Sequence, residues 1–266
     1  MAERPRARKR FGQHFLEPVW ADRLVAAIAP SSGDRFLEIG PGPGVLTVRL
    51  ASTARQVVAV EIDRDIVAAL QRQVPHNVTL VEGDFLEFDL TALTAEGPIR
   101  VAGNLPYNVS SPILFKLLRE HRTRGGIQDA TLMLQREVAH RLEASRGTGD
   151  YGVLAILMQL HADIERVLEL PPGAFRPMPK VHSAAVRLTF RAPAVRVRDE
   201  RVFEALVRSI FTQRRKTLAN ALKPLAQSHG HDARGLLSAA TIDPSRRPET
   251  LDLAELARLS DLLSSP

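Results

Sequence analysis

Short apolar runs and helical periodicity alternate along the first half of the chain. Arg35–Gly40 (RFLEIG), Gln56–Val60, Val78–Val81, Ile99–Gly103 and Asp129–Gln135 are compact, rich in Val, Ile and Leu, and bounded by Gly, Pro, Asn or Asp. They predict buried strands. Between them, Val19–Ile28, Val45–Ala54 and Ile66–Val74 repeat apolar residues every three or four positions and predict amphipathic helices. Ser110-Ser111-Pro112 is expected to cap a further helix, with proline at its first position. Strand and helix in strict alternation imply a parallel α/β sheet. The pattern then changes. After two more helices, Arg136–Ala144 and Val153–Leu160, the segments Ile164–Leu170 and Ser183–Arg191 alternate as an antiparallel pair should. Pro193–Val197 reads as a linker, and from Asp199 the apolar positions Phe203, Leu206, Val207, Ile210 and Phe211 mark one helical face. The expected organisation is a mixed α/β domain over residues 1–192 and a small all-α domain over 193–266.

Charge adds a partner to this picture. The 266 residues carry 36 Lys and Arg against 30 Asp and Glu, a net charge of +6, which favours a polyanion, nucleic acid first. The excess is concentrated in Arg4–Arg10 and in a stripe of Arg201, Arg208 and Arg215, widened by Arg214 and Lys216. Either cluster reads equally as a solvated surface or as a phosphate-binding one. There is no cysteine, which removes disulfides, thiolate metal sites and a thiol nucleophile. No apolar run reaches membrane-spanning length, and no apolar region follows the basic start. A cytoplasmic protein with no membrane partner is expected.

The candidate chemistry collects after the predicted strands. Gly40-Pro41-Gly42-Pro43-Gly44 follows the first, where glycines let backbone N–H groups approach a ligand. Glu61 ends the second and suits ribose hydroxyls. Asp84 ends the third, as an acceptor for an adenine amine or as a plain Gly-Asp turn. Asn104-Leu105-Pro106-Tyr107 ends the fourth. These four features fall on the carboxyl edge of one parallel sheet, where such sheets bind ligands. A dinucleotide loop wants Gly-x-Gly-x-x-Gly, whereas this one is Gly-x-Gly-x-Gly stiffened by two prolines. That favours a nucleoside with a short charged tail, S-adenosylmethionine, over NAD. In the tetrapeptide, the Asn104 side-chain oxygen and the Leu105 carbonyl form two convergent acceptors, with Tyr107 as an aromatic face. Together they suit a planar base bearing an exocyclic amine, although Asn and Pro also make ordinary turns.

With these residues in view, the chain resembles the ribosomal RNA adenine N6-dimethyltransferases, and within them the bacterial small-subunit dimethylases of the KsgA type. The resemblance runs nearly end to end, through Gly12–Leu16 (GQHFL), Leu37–Gly44 (LEIGPGPG), Val60–Asp63, Gly83–Phe85, Asn104–Asn108, Gln135–Ala139 and Phe175–Val181 (FRPMPKV). Gln213–Leu218 (QRRKTL) and Arg247–Leu251 favour the small-subunit type. It implies a Rossmann-like methyltransferase fold that uses S-adenosylmethionine and releases S-adenosylhomocysteine, with no metal. It also implies that His14, Leu16, Gly40, Gly42, Glu61, Asp84 and Asn104 hold this cofactor. Asn104, Leu105, Pro106 and Tyr107 would hold the target amine, and Phe175 would stack on the base. His14 departs from the asparagine frequent in the family. Without the resemblance, Phe175 reads as a plug for its own proline-rich loop.

The implied reaction places two methyl groups on each of two adjacent adenosines in the 3′-terminal hairpin loop of small-subunit ribosomal RNA, within an immature subunit. Arg208, Arg214, Arg215 and Lys216 would face that RNA, and the protein would act as a monomer. A large-subunit adenine methylase conferring macrolide resistance and a non-catalytic nucleic-acid-binding factor on the same fold are the competing readings.

Overall fold

The computed structural model describes residues 13–264. The basic arm expected over Arg4–Arg10 lies outside them. The chain divides into two compact units. One runs to Ala139 and resumes over Asp163–Phe190; the other takes His140–Ala162 and everything from Arg191 onward.

The first unit is built on strands β2 (Arg35–Ile39), β3 (Gln56–Glu61), β4 (Val78–Glu82), β5 (Ile99–Asn104), β6 (Ile127–Gln135), β7 (Ala162–Leu170) and β9 (Ser183–Phe190). They form one sheet in the order β4-β3-β2-β5-β6-β9-β7. The pairs from β4 to β6 are parallel, and β9 returns antiparallel beside β6. Strands β2 and β5 are buried almost throughout, which explains why they read as unbroken apolar runs and not as alternating ones. Helices α1 (Pro18–Ile28), α2 (Thr47–Ala51), α3 (Arg64–Leu70), α4 (Thr91–Ala95) and α5 (Ser110–Arg124) make the connections, and α6 (Arg136–Glu143) follows β6. A two-stranded sheet pairs β1 (Phe15–Leu16) with β8 (Phe175–Arg176), and neither strand is legible in the sequence.

Two expectations need correction here. Ser110-Ser111-Pro112 does not cap α5: both serines are already helical, and no side-chain cap bond forms. The Ser110 hydroxyl instead donates backward to the Tyr107 carbonyl, tightening the turn that holds the tetrapeptide.

The boundary also differs from 192/193 in one respect, because 140–162 joins the second unit. Helix α7 (Val153–His161) is apolar on every side and so cannot lie half-exposed. Tyr151 packs edge-on against Phe211, and the Gly147 N–H donates to the Glu249 carbonyl at 2.7 Å. Helix α7 packs on α8 (Glu200–Thr212), which in turn packs on α9 (Leu218–Ser228) and α11 (Leu253–Leu263), with α10 (Ala233–Ala239) against both of these. Helix α8 starts at the Asp199 cap and buries Phe203, Leu206, Val207 and Ile210. Asp252 and Glu255 close a reciprocal capping box on α11. Among the described residues, no helix is long and apolar enough to cross a membrane.

At the amino-terminal edge of the sheet sits a buried ion network. Arg100 on β5 donates to Asp34 at 2.7 Å, to Asp129 on β6 at 2.9 Å, and to the Ile28 carbonyl at the end of α1. One guanidinium thereby fixes α1, the start of β2, β5 and β6 relative to each other. Placing it at this edge keeps the full positive charge away from the opposite, ligand-facing edge.

Candidate active site

The carboxyl ends of β2 to β5 open into one cleft, whose empty space, mouth included, is about 970 Å³. Gly40 and Gly42 line it from β2, Glu61 and Ile62 from β3, and Asp84 and Phe85 from β4. Asn104 to Val109 enter from β5, and Gln13, His14 and Phe15 close one side. A parallel sheet makes this convergence unavoidable, since every strand ends on the same edge.

The glycine loop is shaped by contact as well as by torsion. Gly42 has a φ of 54°, and a Cβ there would stand 3.1 Å from the Phe15 ring. Gly103, just before the tetrapeptide, lies so close to β2 that a Cβ would meet the Ile39 carbonyl oxygen at 2.6 Å. Glycine at 103 therefore lets β5 bring Asn104 level with the loop.

Glu61 is buried and its two oxygens are each engaged, accepting from the Gly42 N–H at 3.1 Å and from the Asp63 N–H at 3.0 Å. Each carboxylate oxygen retains a second lone pair for a ligand hydroxyl. Burial raises its pKa, and the two backbone donors oppose the rise. Asp84 spends one oxygen on the Leu86 N–H at 2.8 Å. Behind them, Glu38 is wholly buried with Oε2 unpartnered, and burial pushes its pKa to about 8, helped by the neighbouring Glu61 charge. In the sequence Glu38 stands out only as an exception in an apolar strand.

Asn104 donates through Nδ2 to the His14 carbonyl at 2.5 Å. That bond fixes the amide plane and leaves Oδ1 as the outward acceptor. The Leu105 N–H is committed to the Met133 carbonyl at 3.2 Å and its side chain is buried, so the peptide is held rigidly with its carbonyl remaining. Tyr107 shares a 2.9 Å hydrogen bond with the Ser183 hydroxyl, and burial raises its pKa, keeping the phenol neutral. The His14 ring stacks on Tyr107 at 5.4 Å between centroids, and its Nδ1–H donates to the Pro177 carbonyl at 2.7 Å.

Of the residues expected at the cofactor, His14, Gly40, Gly42, Glu61, Asp84 and Asn104 all line the cleft. Leu16 does not: its side chain belongs to the core cluster beside α1. Phe175 is a second correction. It has no exposed surface, pairs with Leu16 between β8 and β1, and packs into the same cluster. The ring sits where a loop plug would sit, because the β1–β8 ladder turns it inward. Gln13, Phe15, Ile62 and Phe85 line the cleft although their residue types do not single them out. Each flanks a recognised motif position, which is the one signal that could have found them.

The cationic stripe of the second unit is also thinner than expected. Arg208 pairs with Glu204 at 2.8 Å, and Arg214 donates to the Gly149 and Thr148 carbonyls. Arg215 and Lys216 are exposed and take part in none of the ion pairs seen among the described residues.

The cleft's donors and acceptors fit a nucleoside. A buried carboxylate with spare lone pairs suits a ribose diol, Asp84 suits an exocyclic amine, and Ile62 and Phe85 offer apolar surface to a base. The glycine loop leaves room for a short tail. A pyrophosphate would instead face Glu61, with no Lys or Arg among the residues lining the cleft.

A family model described as ribosomal RNA adenine dimethylase matches residues 4–259. "Ribosomal RNA small subunit methyltransferase A" of Pseudomonas fluorescens Pf-5 is 46% identical over 97% of this chain and 94% of its own length. The protein of the same name from Pseudomonas aeruginosa PAO1 is 45% identical over 97% and 95%. Among solved structures, a dimethyladenosine transferase from Plasmodium falciparum superposes with a TM-score of 0.75 at 25% identity, covering 92% of this chain and 96% of that one. The 23S rRNA methyltransferase ErmE gives 0.69 at 26% identity, covering 94% and 100%.

Proposed function

The chain belongs to the ribosomal RNA adenine dimethylase family, and from that premise we propose that it dimethylates the N6 amines of two adjacent adenosines in the 3′-terminal hairpin loop of small-subunit ribosomal RNA. The observation that supports the chemistry is the Asn104 amide at the cleft, whose Nδ2 is occupied by the His14 carbonyl, which leaves Oδ1 and the Leu105 carbonyl as the two acceptors of this reading. An adenine amine is a poor nucleophile because its lone pair is delocalised into the ring. Two acceptors that take both N–H bonds draw the nitrogen towards tetrahedral geometry and return the lone pair to it. Tyr107 offers a neutral ring for the base.

When bound, S-adenosylmethionine supplies a methyl group made electrophilic by its sulfonium. Glu61, Asp84 and the Gly40–Gly42 loop are the residues that would hold it, and S-adenosylhomocysteine would leave. No strong base is needed at the amine, whose proton turns acidic as the new N–C bond forms. Positioning and prearranged acceptors supply the catalysis. The identity near 45% with small-subunit enzymes over nearly the whole chain, against 26% with ErmE, favours the small subunit. An immature small subunit is the proposed substrate, with Arg215 and Lys216 facing its RNA and the enzyme acting as a monomer in the cytoplasm.

The test is methyl mapping after incubation with unmethylated small subunits. Two adjacent dimethyladenosines are expected from the unaltered chain and none from Asn104→Ala. Methylation of protein-free large-subunit RNA instead would overturn the substrate, and normal turnover by Asn104→Ala would overturn the mechanism.

A further inference from the structure

Among the described residues, four large hydrophobic side chains stand exposed: Val19, Ile62, Met178 and Val181. Ile62 lines the cleft, and Met178 and Val181 lie on one loop between β8 and β9. Met178 is 56% exposed and Val181 43%. Exposed apolar surface concentrated beside a binding cleft marks a surface that something covers.

The loop is held at the cleft's rim from both ends. At its start the Pro177 carbonyl accepts from His14 Nδ1 at 2.7 Å, and at its end Ser183 Oγ meets the Tyr107 hydroxyl at 2.9 Å. His14 and Tyr107 both line the cleft. The His182 carbonyl also accepts from the Arg136 N–H at 3.0 Å. Pro177 and Pro179 fix two φ angles between the anchors, and Pro179 is buried, which turns its neighbours outward. The outward set is Arg176, Met178, Lys180, Val181 and His182. Apolar tips thus stand on either side of Lys180 on a stiff loop beside the catalytic acceptors, while Arg176 at the loop's start pairs with Glu17 at 3.4 Å.

We infer that the 176–182 loop is a wedge that enters the RNA base stack next to the target adenosine, Met178 and Val181 filling the gap while Lys180 meets a flanking phosphate. The inference rests on the base-methylating reading above. An exocyclic amine can reach Asn104 only if its base leaves the stack, and the unstacking that this costs must be offset by new contacts. Unbranched methionine suits the task, since its flexible thioether conforms to either base of a step. Apolar side chains are the usual wedges in proteins that open base steps. The charge argues for RNA over a protein partner, since the exposed Lys180 stands next to Val181 and two residues from Met178, with no acidic residue in the loop.

The experiment uses the full chain with a hairpin carrying 2-aminopurine next to the target adenosines, in the presence of S-adenosylhomocysteine so that no turnover is needed. Enzyme binding should raise the fluorescence as the neighbour unstacks. Met178→Ser with Val181→Ser should remove most of that rise and lower kcat/KM for methylating the hairpin roughly tenfold, the scale of removing one side chain that stacks on a base. Transfer to a hairpin with abasic nucleotides flanking the target, which leaves nothing to wedge apart, should stay unchanged, as should S-adenosylmethionine affinity. Leucine at both positions should restore the signal. An unchanged fluorescence rise and unchanged transfer in the serine variant would overturn the wedge. So would an equal loss on both hairpins, which points to loop folding, or a loss seen only with intact subunits, which points to a ribosomal protein. If the unaltered chain methylates neither the hairpins nor unmethylated small subunits, the functional reading fails, while the fluorescence arm still decides the wedge.

Discussion

Glu38→Gln isolates a cost built into the cleft. Glu38 is fully buried on β2, its Oε2 has no partner, and the nearby Glu61 adds like charge. The result is a pKa raised from 4.5 to about 8. A carboxyl whose folded value lies above its unfolded one binds more protons when folded, so stability is highest below the unfolded value and falls as pH rises towards the folded one. Each pH unit in that window is worth about 1.4 kcal/mol. Between pH 5.5 and pH 8 the wild-type protein should therefore lose on the order of 3 kcal/mol through this group. Glutamine cannot ionise and removes the slope. Urea unfolding of both proteins at about pH 5.5, 6.5, 7.5 and 8.0 gives the difference in stability directly. Any constant offset reports only the altered local contacts of the side chain. The reasoning predicts that Glu38→Gln gains on wild type as pH rises. A difference that stays flat across the series would show that Glu38 is ionised throughout, and would refute the assignment of a protonated carboxyl behind the cleft.

Glu61→Ala removes the acceptor for two backbone N–H groups as well as the candidate ribose partner, and should weaken S-adenosylmethionine binding by about 1–3 kcal/mol in calorimetry; unchanged affinity would take Glu61 out of the cofactor site. Phe175→Ala should cost about 3–5 kcal/mol of stability, the scale for deleting a fully buried aromatic. If urea unfolding is instead unaltered while methyl transfer collapses, the ring acts on the base and not in the core. Reversing Arg215 and Lys216 to Glu should weaken binding to the small subunit and flatten the slope of log affinity against log salt, by roughly 0.7–0.9 for each phosphate no longer neutralised. Arg208→Glu, which breaks the pairing with Glu204, should do neither, and a flattened slope in that variant would show that it too faces RNA.

The sequence alone determined the sheet, the strand ends and most of the cofactor wall. Strands of a parallel sheet are buried on both faces, so β2, β3 and β5 stand out as apolar runs, and whatever follows each run must share one edge. Gly40, Glu61, Asp84 and Asn104 can be gathered into one site for that reason, before any coordinates. Tertiary structure decided what local pattern cannot encode. Whether a ring faces a base or a core depends on a two-residue ladder between β1 and β8, segments far apart in the chain, and that ladder turned Phe175 and Leu16 inward. Which of several arginines already has a partner depends on carbonyls and carboxylates that the fold brings beside them, so Arg208 and Arg214 are engaged within their own unit while Arg215 and Lys216 take part in none of the ion pairs seen among the described residues. The Asn104 amide was tied by a backbone carbonyl at His14, and the charge state of Glu38 was set by complete burial. Both are properties of neighbours distant in sequence, and only the folded chain supplies them.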